Sequence, residues 1–166
     1  SSSDDTATFE CSLDNEVFAA CTSPREYIGL ADGSHTFAVR AKDPLGNLDL
    51  TPALYTWVID LTAPETQINS SPATLSKSSS ASFTFSSTDS TATFECSLDG
   101  SDYAACVNPK GYTSLADGSH IFIVRAKDLA GNLDTSPASY TWTIDTTAPD
   151  TQIDSKPVTP SNSSNA

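Results

Sequence analysis

Apolar and polar residues alternate at every second position in short runs along the chain, and turn-forming residues bound each run. In SASFTFSS, Phe83 and Phe85 alternate with small polar residues, and in TATFECSLD the residues Phe9, Cys11 and Leu13 share a face. HTFAVRAKD places Phe37, Val39 and Ala41 inward with Arg40 and Lys42 outward, and ALYTWVID places Tyr55, Trp57 and Ile59 inward. A period of two is that of a strand with one buried face. The turn signals DN, DG, PLGN and LAGN separate the runs. No window carries the helical period.

The runs come in two sets. TATFECSLD starts at Thr6 and again at Thr91, a period of 91 − 6 = 85 residues. The match continues through LADGSH, VRAKD, GNLD, YTW and ID-x-TAP, and roughly two thirds of aligned positions are identical. The predicted fold class is all-β: tandem immunoglobulin-like β-sandwiches, end to end, with about seven short antiparallel strands per module. Ser1 aligns with Ser86 and Ala166 with Ala81, so the segment Ser82–Phe85 has no second copy. The organisation expected is an incomplete first module over 1–60 that lacks its first strands, and a complete second module over 61–145. Residues 146–166 would be the first strand or linker of a following module, or a donor strand for a neighbouring chain. A window on a longer tandem array accounts for these ends, and a polymerising subunit is the competing account.

Charge narrows the partners. The chain carries 8 basic and 21 acidic residues, a formal net charge of −13. Such a surface repels phosphate backbones and anionic lipid, so no nucleic acid and no direct membrane insertion are expected, whereas hard cations suit it. No run approaches the roughly 18 apolar residues of a membrane span. Methionine is absent, so the expectation is a processed product or a piece of a longer chain, with any targeting segment outside it.

Each copy holds one pair of cysteines, Cys11 with Cys21 and Cys96 with Cys106. The turn DNEV lies midway between the first pair, and folding about it puts the two roughly opposite each other, within reach of a disulfide. Zinc would want paired C-x-x-C or His spacings and a redox centre would want C-x-x-C; neither is present. A staple within each module therefore stands ahead of free buried thiols, and metal or redox roles rank last. It implies an oxidising, extracytoplasmic compartment.

Other chemistry is sparse. His35 and His120 occupy the same LADGSH motif and read as surface turn residues. Lys42 and Lys127 alternate outward, which argues against an isopeptide cross-link, and neither a G-x-S-x-G elbow nor a phosphate-binding loop occurs. No catalysis is expected. In a sandwich of this kind Asp60, at the end of the first copy, should face Asp89, Asp128 and Asp134 in loops of the second. These four form a candidate junction calcium site, with Asp145 in the same place one module on; the alternative is that they shape turns. Pro64 stiffens the connection. Asn69 and Asn162 begin candidate N-glycosylation triplets. The aromatics Phe18, Tyr27, Tyr103 and Tyr112 have no assigned face.

The motifs F-E-C-S-L-D, A-A-C, L-A-D-G-S-H, V-R-A-K-D, G-N-x-D, P-A-x-Y-T-W and I-D-x-T-A-P resemble the tandem bacterial Ig-like repeats of very large surface and secreted proteins. The resemblance covers nearly the whole chain. It implies a stalk or adhesive fibre outside the cell, sometimes stiffened by calcium between modules, with no cofactor required. It implies neighbouring Ig-like modules as partners, in the same chain or in adjacent subunits, and a host-cell or matrix ligand as a candidate. The function expected is a structural module of an extracellular surface protein. The alternatives are a self-assembling filament subunit that uses strand complementation, and an accessory carbohydrate- or protein-binding module of a secreted enzyme. The last would show an exposed aromatic patch.

Overall fold

The computed structural model describes residues 5–156. Four strands, β1 (Thr8–Leu13), β2 (Ala19–Cys21), β3 (Gly33–Lys42) and β4 (Ala53–Ile59), form an antiparallel sheet in the order β2-β1-β3-β4. The same pattern returns in β8 (Thr93–Leu98), β9 (Ala104–Cys106), β11 (Gly118–Lys127) and β12 (Ala138–Ile144). There it is joined by the two-residue β6 (Leu75–Ser76), which runs parallel to β12. A second sheet, β10-β7-β5, is built from β5 (Thr66–Ser70), β7 (Ala81–Ser87) and β10 (Lys110–Tyr112). Residues 66–144 thus make a two-sheet, immunoglobulin-like sandwich, with one strand more than about seven because β6 forms an extra edge.

The sandwich closes on aromatic side chains from alternate positions. Phe83 and Phe85 from β7 meet Phe122 and Val124 from β11 and Trp142 and Ile144 from β12, and none of the six exceeds 1% exposure. The Phe83 ring stacks on Phe122 at 4.1 Å and meets Trp142 edge-on at 5.2 Å. Such pairs add to the stabilisation from burial alone.

The first copy has the same inward-facing residues on one sheet only. Phe37, Val39, Trp57 and Ile59 are half-buried, and Tyr55 is 68% exposed. The alternation is as the sequence predicts, but among the described residues no second sheet covers it.

Candidate functional site

Both cysteine pairs are disulfides, with Cα atoms 5.8 Å apart. The two cysteines, expected roughly opposite each other, are diagonal neighbours in the ladder. Cys11 faces Ala19, and Cys21 faces Phe9. The cause is the turn. Glu16 N–H donates to Leu13 O at 2.9 Å around Asp14 and Asn15, both at positive φ (51° and 65°), a tight hairpin turn of the mirror-image kind. The second copy uses Asp99 and Gly100 at φ 52° and 78°. Two more residues follow this turn before the return strand begins, so the register shifts and the cysteines bond diagonally on the inward face. The staple ties the three-residue strands β2 and β9 to their sheets.

His35 and His120 are not surface turn residues. They lie in β3 and β11 with side chains 11% and 10% exposed, their rings tilted against those of Trp57 and Trp142 with centroids 5.7 and 5.4 Å apart. His120 Nε2 donates to Ala116 O at 2.9 Å, and its Nδ1 lies 2.7 Å from Asp99 Oδ2. His35 repeats this with Ala31 O and Asp14. A carbonyl and a carboxylate both accept, so only the imidazolium satisfies both contacts. The carbonyl hydrogen bond and then the carboxylate raise both histidines above their ordinary 6.5. Asp14 is lowered chiefly by its bond to His35; for Asp99, burial raises the pKa, but bonds from His120 and Ile121 N–H outweigh it.

The signs are opposite for the two groups. Raised histidines contribute stability that is full below about 6.5 and is lost as pH rises through their folded values. Lowered aspartates contribute above their ordinary 3.8 and lose it as pH falls through their folded values. Thermal melts should therefore peak between these two values and decline toward pH 8, and His120→Gln should flatten that decline in the second unit. A midpoint constant from pH 5 to 8 in the unsubstituted chain would refute the assignment.

Asp89 is in the loop after β7, and Asp128 and Asp134 are in the loop before β12, beside the connection that leaves β4 at Asp60. The carboxylates act there as turn acceptors. Asp128 Oδ1 accepts from Gly131 N–H and Asn132 N–H, Asp89 Oδ1 from Thr91 N–H, Asp134 Oδ1 from Ser136 N–H, and Asp60 Oδ1 from Thr62 N–H. Asp145 accepts from Thr147 N–H in the same way. Among the described residues no three His, Cys, Asp or Glu side chains gather in metal-ligating geometry.

What the junction does show is a clasp on the connecting chain. From the first unit, Asp32 Oδ1 accepts from Leu61 N–H at 2.6 Å. From the second, Asn132 Nδ2 donates to Asp60 O at 2.9 Å, and Ser136 Oγ donates to Glu65 Oε2 at 2.8 Å. Glu65 and Thr88 exchange two further bonds, each 3.0 Å, and Pro64, next to Glu65 in the chain, is buried. One repeat later Asp117 takes the place of Asp32, accepting from Thr146 N–H at 3.1 Å.

Of the remaining candidates, Asn69 sits exposed at a bulge in β5, its Oδ1 accepting from Ser86 Oγ. Asn162 lies outside the described residues. Phe18 and Tyr103 lie on the outer face under Arg40 and Arg125, 4.1 and 3.9 Å from the guanidinium, and those arginines pair with Glu10 and Glu95. Tyr27 and Tyr112 face inward, edge-on to Phe37 and Phe122. Lys42 lies 3.6 Å from Glu10, on the outer side with Arg40.

No family model matches the chain, and no curated protein matches it in sequence. Among solved structures it is similar to the fibronectin(III)-like modules of Clostridium thermocellum CbhA, at 19% identity and a TM-score of 0.46, over 87% of this chain and 80% of that one. It is similar to the central fibronectin-III array of RIM-binding protein at 15% identity and a TM-score of 0.37, over 95% of this chain and 64% of that one. A third is from work on host cell surface retention of a 1.5-MDa bacterial ice-binding adhesin, at 17% identity and a TM-score of 0.44, over 86% of this chain and 54% of that one. The chain thus spans less than two thirds of the second and third. The fold assignment rests on sheet order and register.

The His–Asp pairs and the Asp32 clasp are absent from the expectations drawn from sequence. A signal for both was present: LADGSH recurs intact in both copies, and its Asp is the clasping residue while its His is the imidazole of the pair.

Proposed function

We propose that the chain is a structural repeat of an extracellular bacterial surface protein or fibre, acting by geometry and stiffness and not by catalysis. The clasp carries this reading. Backbone and side-chain groups from both units hold the few residues that connect them, and the same acceptor, Asp117, is in place at the far end of the second unit. A connection pinned on both sides transmits orientation from one module to the next, which a Gly/Ser-rich linker does not. The two disulfides support an oxidising compartment. The resemblance to bacterial Ig-like repeats supports a surface protein, with neighbouring modules as the partners.

Asp32→Ala combined with Ser136→Ala tests this. The pair removes one hold from each side and should broaden the distance distribution between spin labels placed on the two units. Each unit should keep its own stability to within about 1 kcal/mol, the net worth of a single hydrogen bond. An unchanged distribution would mean the clasp does not set the angle.

A further inference from the structure

The first unit presents a receiving face whose occupant is visible in the second. Phe9, Phe37, Val39, Tyr55, Trp57 and Ile59 stand one repeat before Phe94, Phe122, Val124, Tyr140, Trp142 and Ile144, residue type for residue type. In the second unit β7 and β5 cover that face, and Phe83 and Phe85 are sealed at 0% and 1% exposure. In the first unit the face lines an open trough of about 1470 Å³. The six side chains are held in place by a four-stranded, disulfide-stapled sheet, so the surface is formed before anything sits on it.

A backbone edge is prepared as well. In the second unit β10 receives β7 through the pairs Lys110 with Phe83, Gly111 with Ser82 and Tyr112 with Ala81. Its counterpart Arg25–Tyr27 belongs to no strand. Even so, Tyr27 already lies edge-on to Phe37 at 6.1 Å, as Tyr112 does to Phe122 at 6.0 Å. Main-chain groups for pairing and an apolar slot for alternate side chains are the two requirements of strand addition.

We infer that this face is a strand-acceptor site, and that its occupant is an extended segment of the Thr66–Ser87 type from another copy of the repeat, which inserts two aromatic side chains at alternate positions. The tail of a second copy fits less well. Thr151–Ser155 reads TQIDS where β5 reads TQINS, and its Ile153 is 79% exposed. But β5 joins its sheet by pairing with β7, through Thr66 with Ser87, Gln67 with Ser86 and Ile68 with Phe85. Residues 146–166 contain no phenylalanine to fill the places of Phe83 and Phe85. The inference rests on the repeat reading and is independent of the clasped junction.

The test uses the full chain, labelled for NMR, and a synthetic peptide with the sequence of residues 66–87. Saturable binding is expected, with the Trp57 indole N–H signal moving toward that of Trp142 and the amides of residues 25–27 gaining protection from exchange. The same peptide with Phe83→Ala and Phe85→Ala should bind roughly a hundredfold more weakly or worse, given the apolar surface two phenylalanines bury. If the free peptide self-associates, the segment fused ahead of Ser1 provides the same readouts. Three outcomes would overturn the inference: no shift at Trp57 in either format, equal binding by the double-alanine peptide, or equal binding by a peptide of residues 146–166. A chain that instead dimerises through this face and ignores the peptide would overturn it too. Failure here with a rigid junction leaves the structural-repeat reading standing, and a loose junction with tight peptide binding does the reverse.

Discussion

Phe122→Ala is expected to cost the second unit about 3–5 kcal/mol, while Phe37→Ala, its counterpart one repeat earlier, should cost the first unit about 1 kcal/mol. The two residues share strand position, neighbours within the sheet and side-chain chemistry. They differ in what lies above them. Phe122 is fully enclosed and stacks on Phe83 at 4.1 Å, so truncation leaves a cavity that the opposing sheet cannot collapse into. Phe37 is half-buried at an open face, where water replaces the lost ring. A domain of this size holds roughly 5–10 kcal/mol in all, so the first substitution removes much of it. Denaturant dependence of amide exchange, read separately for β11 and β3, resolves the two. Equal losses would mean that the first unit is closed by a second sheet after all.

Replacing Cys96 and Cys106 together by serine should destabilise the second unit by about 2–3 kcal/mol, the loop-closure contribution of a short bridge. The loss should be localised. β9 has three residues and, among the described residues, pairs only with β8, so the Ala104–Cys106 amides should lose protection before the core does. The same pair of changes at Cys11 and Cys21 should release β2, and because among the described residues no second sheet supports that unit, its melt should broaden as well as shift. If protection of Ala104 and Ala105 is unchanged in the double serine variant, the bridge is not what holds the edge.

The sandwich was legible in the sequence because its inward side chains obey strict alternation and the chain states its pattern twice. Phe83 is placed by period two, and Phe122, Val124 and Trp142 by the same period read in their counterparts Phe37, Val39 and Trp57 one repeat earlier. The staple was legible in its pairing but not its register, since residues after the turn at Asp14 and Asn15 shift the strands in a way no hydrophobic count reveals. His120 was misjudged because a polar residue in a turn-rich motif looks solvated. It is enclosed only because Asp99 and Trp142 reach it from elsewhere in the chain. The junction carboxylates Asp60, Asp89, Asp128 and Asp134 each accept a hydrogen bond from a nearby backbone N–H, a use that a count of acidic residues does not reveal. Amide donors two to four residues after each aspartate occupy its Oδ1, a short-range turn that Asp followed by Thr, Ser or Gly-Asn favours.

The central claim is that the connection from Asp60 to Glu65 holds the two units at a fixed relative orientation. Residual dipolar couplings measured for both units of the unsubstituted chain in one alignment medium test it most directly. The clasp predicts that a single alignment tensor fits the amides of β1, β3 and β4 together with those of β8, β11 and β12. Two tensors of different magnitude, with the first unit averaged relative to the second, would contradict it.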